Sequence, residues 1–169
     1  IDQASQALLE AEQRVSLANE IASIGVWEYD LERNVLHWDA QLKALGGIAA
    51  NEPELSLNEF LARVHDDDRQ PLIDTFRSAL EDQDGEISLD YRVYDAAGQH
   101  FRWLTNRGRR LQAPNGSIRL LGTARDITAE RNAALELQHM NALLEEQIRE
   151  RSLTEQRQTL LMELGDLLR

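Results

Sequence analysis

Tyr91-Arg92-Val93-Tyr94, Phe101-Arg102-Trp103-Leu104 and Ile118-Arg119-Leu120-Leu121-Gly122-Thr123-Ala124, closed by Arg125-Asp126-Ile127-Thr128, decide how this chain folds. The three runs have the composition of strands and are bounded by turn residues. Between the first two, Asp95-Ala96-Ala97-Gly98 predicts a tight hairpin turn with Gly98 supplying the positive φ. The second run reaches Arg107-Gly108-Arg109, and Pro114-Asn115-Gly116 signals the next turn. Beyond Thr128 almost nothing discourages helix, so Asp126-Ile127-Thr128 should end the sheet and open a long charged helix.

Upstream, Ile87, Leu89, Tyr91 and Val93 alternate as a half-buried strand. Before them, Leu72, Ile73, Phe76 and Leu80 give a helix an apolar face, with Asp66, Asp67 and Asp68 at its positive end and Pro71 in an early turn. Gly85 is expected to close it. Ser56 and Glu59 have capping-box spacing for a helix over 57–64. Asp39 should cap a short helix that runs to Leu45 and stops at Gly46-Gly47. Val26–Leu31 and Val35–Trp38 read as strands around a Glu32-Arg33-Asn34 turn. Gly25 is expected to break a first helix whose Ala4, Leu8, Ala11, Val15, Ala18 and Ala22 alternate four and three apart, as on a coiled-coil seam. Leu9, Leu17 and Ile21 broaden that stripe, so one side is expected to meet a second chain while another covers the sheet. Near the C-terminus Leu137, Met140, Leu144 and Ile148 form a second seam. It weakens where Arg151 and Thr154 fall on it, and a new apolar block begins at Leu160.

In order and spacing, the Tyr-Arg, Arg-Trp, Arg-Gly-Arg, Asn-Gly and Arg-Asp-Ile-Thr series resembles the C-terminal half of a PAS domain, in the subgroup carrying a PAC motif. Ile24–Leu31 and Val64-His65-Asp66-Asp67-Asp68-Arg69 resemble the same subgroup, which usually has Pro where Asp66 stands. The similarity extends from about Ile21 to Thr128. It implies an α+β fold: a five-stranded antiparallel sheet, short helices on one face, and long helices at both ends. The organisation it suggests is an N-terminal helix over 1–22, a sensory domain over 23–128 and a signalling coiled coil over 129–158. Residues 159–169 are similar to the opening helix of a GAF domain. The implied function is a sensory and dimerisation module without catalytic residues of its own, in a cytoplasmic bacterial sensor histidine kinase. A diguanylate cyclase module and a ligand-free dimerising relay are the alternatives.

Composition narrows the partners. The 169 residues, 42% of them hydrophobic, suffice for one packed domain with flanking helices. A net charge of −12 argues against a polyanionic partner, so no nucleic acid is expected despite Arg107, Arg109 and Arg110. No apolar run approaches the ~20 residues that span a bilayer, and no signal peptide is seen. A chain that starts at Ile1 and stops in a helical pattern at Arg169 is expected to be part of something longer. The absence of cysteine removes disulfides, thiolate metal sites and thiol nucleophiles.

No residues converge on chemistry. Asp66, Asp67 and Asp68 lack a return ligand for a cation, so helix capping is their expected role and no metal is expected. His37, His65, His100 and His139 show no His-x-x-x-His spacing, and His139 lacks the acidic neighbour and Arg-Thr-Pro of a phospho-accepting kinase site. The resemblance also bears on cofactors. Flavin-binding LOV members and members with a thioester chromophore need a cysteine that is missing here. Haem-binding members place a histidine on the long helix, here about Asp67–Leu80, which contains none. His65 lies just before that helix; no cofactor is predicted, and a small apolar or amphipathic ligand stays open. Its pocket would be lined by Trp27, Tyr29, Leu31, Leu36, Trp38, Leu42, Phe60, Leu72, Phe76, Ile87, Leu89 and Leu120, unless those side chains fill it themselves. Output is expected at Asp126, Ile127 and Thr128, with Trp103 nearby and Arg92, Arg102, Arg125 and Arg131 as candidate partners of Asp126. Homodimerisation is expected through Leu8, Ala11, Val15 and Ala18 and through Leu137, Met140, Leu144 and Ile148.

Overall fold

Asp2 opens helix α1 (Gln3–Ile21) by accepting a hydrogen bond from the Ala4 backbone N–H. In the computed structural model residues 2–95 and 97–169 are described. Ile1, and Ala96 of the expected hairpin turn, lie outside the described residues. Two expectations for α1 need correction. The turn out of it is made by Ser23, at a φ of 55°, while Gly25 lies inside strand β1 (Ile24–Asp30). Glycine is required at 25 because a Cβ there would sit 2.6 Å from the Leu42 Cβ. None of the α1 side chains is buried, so its second apolar side does not cover the sheet.

Asn34, at a φ of 51°, turns the chain into β2 (Val35–Trp38). Leu31 was expected to face inward with Trp27 and Tyr29, but β1 stops at Asp30 and Leu31 is exposed. Asp39 then caps α2 (Ala40–Leu45), its Oδ1 accepting from the Leu42 N–H and its Oδ2 from the Val26 N–H of β1. One carboxylate therefore both starts a helix and fastens it to the sheet. Strand β3 (Leu55–Ser56) precedes α3 (Leu57–Arg63), where both reciprocal bonds of the Ser56–Glu59 capping box are formed. His65 caps α4 (Asp66–Glu81) with Nδ1 accepting from the Asp67 N–H. Three long strands follow: β4 (Glu86–Tyr94), β5 (Phe101–Gln112) and β6 (Ile118–Asp126).

All pairs are antiparallel, in the order β3-β2-β1-β6-β5-β4. The sheet thus has six strands, not five. The addition is β3, where Leu55 and Ser56 pair with Leu36 and Val35. Two residues are too few to show a period, and the pairing depends on tertiary placement alone. The other border, β4, is held by the α3–α4 junction. Asp68 Oδ2 accepts from the Arg92 N–H at 2.8 Å, the His65 N–H donates to the Arg92 carbonyl at 2.9 Å, and Val64 bridges to Val93.

The core lies between the sheet and the short helices. Leu42, Phe60, Leu72 and Phe76 from the helices meet Trp27, Tyr29, Leu36, Trp38, Ile87, Tyr91, Leu104 and Leu120 from the strands, all buried. Each such side chain contributes about 1.5–3 kcal/mol by leaving water. The chain divides into two compact units, the first ending at Thr128 and the second running from Ala129 to Arg169. Helix α5 (Thr128–Leu167) is one unbroken run of 40 residues, and the 159–169 segment continues it to Leu167 without a break. Among the described residues no helix is long and apolar enough to cross a membrane.

Candidate functional site

Apart from the exposed Leu31, every residue expected to line a pocket lies in or against one aromatic cluster. Trp27 stacks on Phe76 with ring centroids 5.6 Å apart, and Tyr29 lies 6.4 Å from the same ring. Phe60 meets Trp38 and Tyr91 edge to face, at 5.5 and 5.9 Å. Leu36, Leu42, Leu72, Ile87 and Leu120 are buried around these rings, and Leu89 is partly buried against them. The Tyr29 hydroxyl donates to Asn34 Oδ1 at 2.9 Å, and burial raises its pKa above the ordinary tyrosine value. The predicted lining residues other than Leu31 thus belong to one packed cluster.

The polar centre of this cluster, Asn106, was not anticipated. It is 2% exposed, and its Oδ1 accepts from the Trp27 indole N–H at 2.7 Å. Its side chain also bonds the Tyr91 hydroxyl, whose pKa is pushed far above the tyrosine range, chiefly by burial. The signal was present in the sequence: Asn106 alternates with Leu104 and Gly108 on the inward face of its strand. A polar residue there requires partners, and Trp27 and Tyr91 supply them.

The second feature is the end of the sheet. The Ile127 N–H donates to the Trp103 carbonyl, and the Trp103 N–H donates to Thr128 Oγ1, both at 2.9 Å. Asp126 Oδ1 accepts from the Thr128 N–H at 2.9 Å and from the Thr128 hydroxyl at 2.6 Å. Both backbone groups of Trp103 are therefore held by Ile127 and Thr128, and α5 begins at the residue so held. Arg102 lies 3.4 Å from Asp126.

Arg92, expected as a candidate partner of Asp126, instead forks onto Asp68. Its Nε and Nη2 each donate at 2.8 Å, to Oδ2 and Oδ1 respectively. Its guanidinium lies over the Trp103 ring at 4.9 Å and near Phe101 at 5.6 Å. The Arg92 side-chain bonds hold the Asp68 carboxyl below the usual aspartate range, against the opposing effect of burial. Asp68 is thus an anchor between α4 and β4, and the cap expected of the three aspartates is supplied by His65. His65 stacks on Tyr94 and meets Phe101 edge to face. Among the described residues no group of three or more His, Asp or Glu side chains is arranged to hold a metal ion.

On α1 Leu8 and Val15 are exposed, as are Ala11 and Ala18; on α5 Leu137, Met140, Leu144 and Ile148 are exposed.

Residues 35–124, more than half of the chain, match the family described as PAS fold. The probable diguanylate cyclase DgcE of Escherichia coli (strain K12) is 32% identical over 131 residues, which cover 75% of this chain and 11% of that protein. The non-motile and phage-resistance protein of Caulobacter vibrioides is 27% identical over 138 residues, 77% of this chain and 15% of that protein. The chain therefore spans only a small part of the length of both curated relatives. A crystal structure of a sensory box histidine kinase/response regulator from Burkholderia thailandensis shares 25% identity with a TM-score of 0.63, covering 79% of this chain and 98% of that one. Such domains serve as sensory modules of signalling proteins, and the chain belongs to the PAS-fold family.

Proposed function

We propose that this chain is the sensory and dimerisation module of a cytoplasmic bacterial sensor histidine kinase, relaying a cue from its sheet into α5. The observation that carries the reading is the closure of Asp126, Ile127 and Thr128 on the backbone of Trp103, with a helix starting at Thr128. A change in β5 alters the support of the first helical residue directly. Trp103 also carries the Arg92 guanidinium, which is held by Asp68, so α4, β4 and β5 meet the junction through contiguous contacts. The test is Asp126→Ala in the full-length signalling protein. Kinase output is expected to change several-fold, while the isolated chain stays folded and loses about 1–2 kcal/mol. Unchanged output would count against coupling.

Dimerisation completes the proposal, because a paired helix converts a small shift at its start into a change of packing. Ala11→Glu and Leu144→Glu place charge on the two exposed seams and are expected to move the chain toward monomer in sedimentation velocity. A wild type that is monomeric at high concentration would remove the dimer from the scheme.

Two observations favour other outputs. The Escherichia coli relative is named as a probable diguanylate cyclase, which supports a cyclase module as the parent. The coding sequence after Arg169 distinguishes the two, through either a phospho-accepting histidine segment with an ATP lid or a Gly-Gly-Asp/Glu-Glu-Phe motif. The mutual packing of the aromatic core favours a relay that binds no small molecule there. Native mass spectrometry of the purified chain tests this: a bound mass that survives purification contradicts it.

A further inference from the structure

Trp38, Trp27, Gly122, Gly108 and Ile87 are paired in one row across β2, β1, β6, β5 and β4. Two adjacent glycines in that row leave a gap where side chains would stand, and the benzo ring of Trp27 occupies it. A Cβ on Gly122 would lie 2.4 Å from Trp27 Cζ2, and one on Gly108 would lie 2.7 Å from the same atom. The indole stacks on Phe76 with an interplanar angle of 19°. Its N–H points at Asn106 Oδ1, a buried acceptor oriented in turn by Tyr91. The surroundings thus specify a flat bicyclic ring by shape, a stacking partner by contact, and a ring N–H by hydrogen bonding.

We propose that the core contains a binding site specific for indole-type N–H heterocycles, and that the chain's own Trp27 fills it as an internal ligand. This deepens the ligand-free reading given above and rests on it. The site recognises the ring independently of its attachment to the backbone. Removing the side chain should therefore leave a site that accepts the free heterocycle, while the intact chain rejects it.

The experiment compares Trp27→Gly with wild type in the full 169-residue chain, using indole and N-methylindole as probes. Indole is expected to raise the Tm of Trp27→Gly by about 5 °C near saturation. N-methylindole should bind at least ~10-fold more weakly, because it leaves the Asn106 oxygen without a donor. Adding Asn106→Leu should erase that preference, and wild type should respond to neither probe. A folded Trp27→Gly chain that ignores indole, or binds both probes equally, overturns the proposal. If Trp27→Gly is unfolded alone, recovery of its circular dichroism with indole supports the site, and no recovery at the solubility limit of indole overturns it. A wild type that binds indole shows that Trp27 does not fill the site and overturns the internal-ligand assignment. Native mass spectrometry of the wild type, which tests the ligand-free reading, fails or succeeds separately.

Discussion

Replacing Phe60 with alanine is expected to remove about 4 kcal/mol of folding stability, the upper part of the range for a buried aromatic. Phe60 is 2% exposed and touches two other rings edge to face, Trp38 from β2 and Tyr91 from β4. These strands are far apart in the sheet order, so the cavity would lie where α3 fastens its two sides. The neighbouring rings are themselves packed and cannot collapse into the space cheaply. Urea unfolding should show a lower midpoint with an unchanged slope. Phe60→Leu should cost less than half as much, because it keeps most of the apolar contact. Equal losses for the two variants would mean that the edge-to-face geometry, not filled volume, carries the energy.

The second large effect is expected at Asp68. Asp68→Ala removes three 2.8 Å bonds at once, two to the Arg92 side chain and one to its backbone N–H. The cost should be about 3 kcal/mol, because Arg92, only 20% exposed, is left without its counter-charge. Arg92→Lys should recover little, since an ammonium cannot fork onto both oxygens while lying flat on Trp103. The effect also has a pH signature. The folded pKa of Asp68 is depressed, so its contribution is complete above the unfolded aspartate value of about 3.9 and is lost as pH falls through the folded value. Wild type should therefore lose stability more steeply below about pH 4 than Asp68→Asn, whose amide does not titrate there. Parallel acid profiles for the two proteins would refute the assignment.

Much of this architecture was legible because local chemistry and tertiary placement agree. Val35–Trp38 is a strand of those bounds, Asp39 caps the next helix, and Ser56 and Glu59 close their box. The residues that diverged answer to distant partners. Gly25 reads as a helix breaker, yet it is a strand glycine because Leu42 approaches it. Leu55 and Ser56 become a strand only because β2 lies beside them. Asp68 has the local appearance of a first-turn carboxylate, and its partner stands 24 positions away. Arg92 and Arg102 were equivalent candidates for Asp126 until the fold placed one over Trp103 and against α4. The inward residues expected around a pocket do meet, but spacing alone does not reveal that their rings stack on one another.

The bonds around Arg92 also govern how this molecule can meet its own kind. An outermost strand with free amide and carbonyl groups is a template on which another chain can add a strand. Here Asp68 and His65 occupy both backbone groups of Arg92, interrupting the outer margin of β4 at that residue. At the opposite margin β3 is only two residues long. Edge-to-edge stacking and the fibrils that grow from it are therefore disfavoured at both borders.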